Sequence, residues 1–312
     1  MTTLLLHLCG VDEAAWARRY AEALPEVTVV RQDAAFDPAA IDYIFAWRAL
    51  PHAFEGLRNL KAVLSLGAGV DALLKHPGLP DAPVVRFVDS NLTRRMTDYV
   101  VAQVTMHQRH FTRFKRDQAA RRWRQFYPPA AGETNVGIMG LGELGADAAA
   151  RLNELGFTVL GWSRTPKTIA GVRSFSGDEL DAFLAETDIL VCLLPLTPET
   201  TGILNYATFG KLRRQLDGGP VIVNAARGGH QVETDIARAL GDGLLGAASL
   251  DVFQVEPLPA ESPLWDFDNC FITPHIAAIS TIEAGVRYFS RIIREHEAGR
   301  PLPNVVDRSR GY

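Results

Sequence analysis

Three residues able to hold an anion and move a proton stand just beyond apolar runs of strand length. Arg227 follows Val221-Ile-Val-Asn-Ala-Ala and precedes Gly228-Gly229. Glu256 follows Leu250-Asp-Val-Phe-Gln-Val, and His275 follows Phe271-Ile-Thr-Pro. In a doubly wound parallel sheet, ligands bind at the carboxyl ends of the strands. Three such residues at successive strand ends read as an active site, although any one of them alone is more often structural. A guanidinium clamps a carboxylate and steadies charge developing on a neighbouring oxygen. An imidazole titrates near neutral pH and acts as general acid or base. A carboxylate bonded to that imidazole fixes its tautomer and favours its protonated, donating form.

A nucleotide site lies upstream. In Val136-Gly-Ile-Met-Gly140-Leu141-Gly142-Glu143-Leu144-Gly145, a GxGxxG turn joins an apolar strand to a helix that runs to Leu155. That context makes it a dinucleotide fingerprint. Gly140 permits the tight turn, Gly142 lets a pyrophosphate approach the backbone, and Gly145 lets the helix pack on the strand. The helix amino end offers free N–H groups and a positive dipole end to phosphate. About 20 residues further on, NAD enzymes carry a carboxylate that reads the ribose. Here the segment is Trp162-Ser163-Arg164-Thr165-Pro-Lys167, with no carboxylate. Ser163, Arg164, Thr165 and Lys167 suit a 2′-phosphate instead, because a guanidinium bonds phosphate oxygens in pairs. The expected cofactor is NADP(H), with NAD(H) used more weakly; the alternative is a plain exposed polar turn.

The elements that must position these groups follow from the apolar pattern. Continuous apolar runs, expected of parallel strands buried on both faces, occur at Leu4–Leu8, Val27–Arg31, Tyr43–Trp47, Ala62–Leu66 and Val84–Val88. Asp12–Leu24 is expected to be a helix capped by Asp12 and stopped by Pro25. Arg95 to about Arg116 reads as one long helix without Pro or Gly. After a Pro-containing loop, the alternation restarts with strands at Asn135–Met139, Thr158–Trp162, Asp188–Leu193, Val221–Ala225, Ala247–Val252 and Cys270–Thr273. Helices are expected at Glu143–Leu155, Gly177–Ala185 and Thr234–Gly241. The result is an α/β chain of doubly wound parallel sheets.

At about 150 residues per domain, 312 residues imply two domains or one large one. With 47% hydrophobic and 22% charged residues and a net charge of −4, disorder and a global pull toward nucleic acid or anionic membrane are excluded. Residues 109–124 hold seven basic groups against Asp117 alone, which reads as a solvated face or subunit contact rather than a nucleic-acid surface. His107 and His110 have a metal-compatible spacing but no acidic or cysteine partner nearby, and read as surface histidines, so no metal is expected. Cys9, Cys192 and Cys270 form no CxxC pair, which fits a reducing cytoplasm. No signal peptide or bilayer-length apolar stretch is evident.

The segments GLGELG (140–145), LLPLTPET (193–200), NAARGG (224–229), LDVFQVEP (250–257) and TPHIAAIS (273–280) resemble the D-isomer-specific 2-hydroxyacid dehydrogenase family. LGAGVD (66–71), WSRTPK (162–167), ESPLW (261–265) and VDRSRGY (306–312) resemble its glyoxylate/hydroxypyruvate reductase A branch. The resemblance spans nearly the whole chain. It implies reduction of a small 2-oxo acid such as glyoxylate or hydroxypyruvate, with Arg227 clamping the substrate, His275 as general acid and Glu256 as its partner. It implies that Asp251 orients the nicotinamide carboxamide and that Leu194, Pro195 and Ala225 line the cofactor. It favours Ala68 and Gly69 as N–H donors to the substrate carboxylate, over a plain small-residue turn. Trp47 is left either capping the pocket or filling the core.

The implied architecture is a flavodoxin-like substrate domain from residues 1–94 and 288–312, and a Rossmann dinucleotide domain from residues 95–287. Two crossings act as a hinge that closes Ala68 and Gly69 over Arg227 and His275. A homodimer is expected, with Trp123 reaching the partner's active site. A nucleotide-sensing binding protein on the same fold is the alternative. A formate-type dehydrogenase fits less well, because it pairs its histidine with Gln.

Overall fold

A computed structural model describes residues 2–67 and 69–309, so Ala68 and the last three residues of the VDRSRGY segment lie outside the described residues. The chain separates into two compact units, one ending at Leu92 and resuming at Ile279, the other Thr93–Ala278.

The first unit opens with β1 (Thr2–Leu8), α1 (Glu13–Ala23), β2 (Val27–Arg31), β3 (Tyr43–Trp47), β4 (Ala62–Ser65), the short α2 (Asp71–Leu74) and β5 (Val84–Arg86). Its strands are all parallel in the order β2-β1-β3-β4-β5, the flavodoxin-like winding. Leu4, Leu5 and Leu6 and the whole of β4 are buried, as strands covered on both faces must be. α1 starts where the Asp12 carboxylate accepts the N–H of Ala15 at 3.0 Å, and it packs Trp16 and Tyr20 against Phe45.

The second unit contains most of α3 (Ser90–Gln108), then α4 (Phe111–Ala119), β6 (Asn135–Met139), α5 (Glu143–Glu154), β7 (Thr158–Ser163) and β8 (Val172–Ser176). It continues with α6 (Leu180–Ala185), β9 (Ile189–Cys192), α7 (Tyr206–Gly210), β10 (Val221–Asn224), α8 (Glu233–Gly241), β11 (Ala247–Leu250) and β12 (Cys270–Ile272). Seven parallel strands run β12-β11-β10-β9-β6-β7-β8. The order reverses at β6/β9, so the glycine turn after β6 opens at the switch point of a Rossmann sheet. The chain then forms α9 (Ile282–Glu297) in the first unit, where a Cβ at Gly285 would strike the Trp16 ring at 2.6 Å.

Three expectations need correction. The stretch Arg95–Arg116 is two helices, not one: His110 takes a left-handed φ of 55°, and α4 starts afresh at Phe111. The break lets the His110 and Phe114 rings and the Arg113 guanidinium gather on Phe126. His107 is not on the surface. It is buried and bonds Ser249 Oγ at 2.7 Å, and burial followed by repulsion from His110 pushes its imidazole down to about 4. β8 was not expected as a strand, because it lies at the sheet edge and buries only Phe175. The basic stretch is largely paired: Arg113 with Asp217, Arg116 with Asp268, and Arg122 and Arg124 with Asp117.

Candidate active site

The expected site residues of the second unit sit at the carboxyl edge of the seven-stranded sheet, each following a parallel strand. Gly140 follows β6 with a φ of 102°, and a Cβ there would lie 2.7 Å from the Leu193 carbonyl oxygen. A Cβ at Gly145 would lie 1.8 Å from the Gly140 oxygen, so the first turn of α5 packs directly on the strand exit. At Gly142 a Cβ would meet nothing within 4 Å. The approach to the α5 amino end is therefore open, the shape a pyrophosphate requires. Glu143 is exposed, Leu144 half-buried, and Leu141 buried against Gly161.

β7 delivers the next group. Arg164, Thr165 and Lys167 are exposed at its end. Ser163 is buried and its hydroxyl donates to the Thr165 carbonyl at 2.8 Å. That hydroxyl shapes the turn, which leaves the outward charge to Arg164 and Lys167. Leu194 and Ala225 are buried and Pro195 is half-buried. The Pro195 carbonyl accepts from Thr200 Oγ1 at 2.8 Å.

Arg227 sits beyond β10 on a turn built by a buried amide. Asn224 Nδ2 donates to the Arg227 carbonyl at 3.1 Å and to Gln231 Oε1 at 2.8 Å, while its own oxygen accepts the N–H of Ala226. Gln231 Nε2 donates to the Val252 carbonyl at 2.9 Å, tying this turn to the segment after β11. A Cβ at Gly228 would lie 1.9 Å from the Phe253 carbonyl carbon, so the two segments are in backbone contact. Asn224, His230 and Gln231 were not singled out from sequence. A buried amide in a strand-end motif was the available signal.

Glu256 and His275 meet directly. His275 Nδ1 lies 2.8 Å from Glu256 Oε2, and Glu256 Oε1 accepts the N–H of Phe253 at 3.1 Å. With Nδ1 donating to the carboxylate, the ring turns Nε2 away from Glu256. His275 has a φ of 56°, a region a non-glycine residue occupies only when its surroundings impose it. The surroundings here are Asp251. The Asp251 carbonyl accepts the N–H of His275 at 2.8 Å. Its carboxylate accepts from Thr273 Oγ1 at 2.6 Å and from the N–H groups of Ile276 and Ala277, both at 2.9 Å. Asp251 is 1% exposed, and both its oxygens hold the His275 segment. Tyr99 Oη bonds Thr273 at 2.9 Å, extending that support to α3.

Comparison with known proteins shows what the chain is similar to. Residues 101–277 match the D-isomer specific 2-hydroxyacid dehydrogenase, NAD binding domain. The glyoxylate/hydroxypyruvate reductase A of Escherichia fergusonii is 41% identical over 308 residues, covering 96% of this chain and 97% of that protein. The crystal structure of an NADPH-dependent glyoxylate/hydroxypyruvate reductase from Sinorhizobium meliloti, in complex with NADP and sulfate, is 44% identical. It aligns with a TM-score of 0.95 over 100% of both chains. A probable 2-hydroxyacid dehydrogenase from Rhizobium etli, in complex with NADP, HEPES and L(+)-tartaric acid, is 46% identical with a TM-score of 0.94, again over 100% of both chains. With a family match over more than half its length and full-length relatives above 40% identity, the chain belongs to the D-isomer specific 2-hydroxyacid dehydrogenase family.

Proposed function

We propose that this protein reduces small 2-oxo acids, glyoxylate and hydroxypyruvate among them, to 2-hydroxy acids with NADPH. The observation that carries this reading is the 2.8 Å bond from His275 Nδ1 to Glu256 Oε2, which leaves Nε2 for a substrate oxygen. The names and bound cofactors of the relatives support the substrate and cofactor class.

The open amino end of α5 and the Gly140–Gly145 turn would hold the pyrophosphate, Arg164, Thr165 and Lys167 the 2′-phosphate, and Leu194, Pro195 and Ala225 the apolar surface. When bound, NADPH supplies the hydride. Arg227 draws in the substrate carboxylate and stabilises negative charge on the carbonyl oxygen as reduction proceeds. His275 donates the Nε2 proton to that oxygen, and in the reverse direction takes it back. Glu256 stabilises the imidazolium before transfer and keeps the neutral ring in one tautomer afterwards. From the first unit, we propose that Trp47, Ala68 and Gly69 contact the substrate. Support comes from the half-buried Trp47 ring, which packs on Gly67 so closely that a Cβ there would be 2.8 Å away. We assign residues 1–94 and 288–312 to a substrate domain that closes on the rest of the chain during turnover; the packing of Gly285 on Trp16 favours a return crossing before α9, near Ile279, over one at 288.

A cytoplasmic homodimer is part of this proposal. Burial pushes the Cys192 and Cys270 thiols up to about 12, which suits a chain that needs no disulfide. Trp123 is 96% and Tyr127 94% exposed on the segment after α4, aromatic surface that suits a subunit contact. The function is tested by following NADPH absorbance with a panel of 2-oxo acids. Turnover of glyoxylate and hydroxypyruvate is expected. NADPH binding with no turnover of any 2-oxo acid would make the protein a nucleotide-sensing module instead.

A further inference from the structure

Three histidines of the first unit take no part in the chemistry above. His7 lies on β1, and His52 and His76 follow β3 and α2. His7 is 2% exposed, and its Nε2 accepts the N–H of Leu50 at 3.1 Å. His76 Nε2 meets the carbonyl of the same Leu50 at 2.9 Å, and His76 Nδ1 accepts the N–H of Gly78 at 3.1 Å. Two imidazoles thus grip the backbone of one residue, Leu50, three positions beyond Trp47.

These contacts dictate where the protons are. A backbone N–H only donates, so His7 Nε2 and His76 Nδ1 must each present a lone pair. A carbonyl only accepts, so His76 Nε2 must carry the hydrogen. Both rings are therefore neutral, each in one tautomer. A second proton on either would set N–H against N–H and break the contact.

The surroundings favour the neutral form. Burial above all, then repulsion from His52 and His76, hold the His7 imidazole below its ordinary value. The His52 ring stands edge-on to His7 at 5.9 Å, and the His76 ring edge-on to Phe54 at 4.9 Å. Arg48, the cation on the gripped segment, lies over Gly10 in the turn between β1 and α1, its Nη1 3.5 Å from where a Cβ would stand. From α1, Glu13 accepts the N–H of Leu8 and sits 3.8 Å from Arg31. Arg48 itself has a φ of 49°. The segment leaving β3 thus turns through a conformation unfavourable for a side-chain-bearing residue, and the two histidines fasten it together with the Cys9 N–H on the Trp47 carbonyl and the Ala53 N–H on the Leu50 carbonyl.

We propose that His7 and His76 are positioning residues, a neutral-histidine clamp that sets residues 47–50 for binding the 2-oxo acid and that acid releases. The proposal rests on Trp47 belonging to the substrate site, as above. Because the fold lowers the proton affinity of His7 below 6.5, the clamp is whole above that pH and weakens as pH falls through it.

The test uses the full-length enzyme and two readouts: hydrogen exchange of the Leu50 amide, and KM for glyoxylate, each from pH about 7.5 down to about 5.5. In the unsubstituted protein, exchange should accelerate by up to about tenfold per pH unit below the titration, after correction for intrinsic rate, with KM rising alongside. His7→Gln keeps an acceptor for Leu50 but does not titrate, so its exchange and KM should stay flatter with pH while its kcat is unchanged. His7→Leu should show fast exchange and high KM throughout; if it fails to fold, the Gln comparison decides alone. Identical acid response of Leu50 exchange in His7→Gln and the unsubstituted protein would overturn the clamp. Trp47→Ala separates the two readings: an unchanged KM there refutes the substrate role of Trp47 and, with it, the positioning role. A raised KM combined with acid-independent exchange in the unsubstituted protein refutes the clamp alone.

Discussion

His275 and Arg227 have different parts in the proposed reaction, and substitution separates them. Replacing His275 by Ala removes the proton donor and should lower kcat by about 10²- to 10⁴-fold with NADPH binding little changed. Steady-state rates with glyoxylate check this, and near-normal turnover would return His275 to a structural role. Arg227→Ala should cost on the order of 2–5 kcal/mol in kcat/KM, the scale of removing one partner of a hydrogen-bonded charge pair. Arg227→Lys should still impair the enzyme, because the planar fork is lost although the charge stays. At the far end of the cofactor, Arg164 and Lys167 are the exposed cations after β7. Each charge-assisted bond to phosphate is worth about 1.5–3 kcal/mol before screening. Replacing both by Ala should therefore raise KM for NADPH by on the order of 10²-fold and leave NADH nearly unaffected. Comparison of the two cofactors at low and high salt tests it, since phosphate contacts at the surface weaken with salt.

Among the helices, α3 and α9 carry charge-sensitive anchors of opposite kinds. On α9, Glu297 accepts from Lys61 Nζ at 2.8 Å, Tyr43 Oη at 2.7 Å and Thr2 Oγ1 at 2.9 Å. Burial works against its charge, but these donors and the Lys61 cation outweigh it and hold the carboxyl at about 2. The unfolded chain takes up that proton near 4.5, so this stabilisation is present above 4.5 and drains away as pH falls toward 2. On α3, His107 is held neutral down to about 4 against 6.5 when free, so its contribution drains away between those values instead. Denaturation midpoints over the acid range should therefore lose part of their pH dependence below about pH 4.5 in Glu297→Gln, and part of it above about pH 4 in His107→Gln. Equal pH dependence in both variants and the unsubstituted protein would refute these assignments.

For the molecule as a whole, each unit has its own parallel sheet, while the glycine turn, the exposed cations after β7 and the bonded pair His275 and Glu256 all belong to the second. A ligand bound there stabilises what it touches, by about 2.7 kcal/mol at a hundredfold excess over Kd. Hydrogen exchange with saturating NADPH should thus gain protection within residues 93–278, first around 138–146 and 163–167. Protection gained chiefly in residues 2–67 would place the cofactor elsewhere.

What the sequence determined by itself was whatever depends on near neighbours in the chain. Apolar runs of strand length, the Asp12 cap and the turn at Gly140–Gly145 follow from local sterics and hydrogen bonding, and they sufficed for two parallel α/β sheets and a nucleotide fingerprint. Family motifs added residue types at strand ends. Tertiary structure decided everything that joins residues distant in sequence. The bond from His275 to Glu256 spans 19 positions and exists because β11 and β12 are parallel neighbours. The break at His110 involves neither Gly nor Pro; it goes with the gathering of rings on Phe126, sixteen positions away. His107 became a core residue because Ser249, far along the chain, offers the partner that makes its burial tolerable. Ser163 turned inward to the carbonyl two positions on, a choice open to any hydroxyl at a turn and settled by burial. The neutrality of His7 and His76 was hidden for the same reason: a proton's position depends on what faces the ring, and only the folded chain sets Leu50 between them.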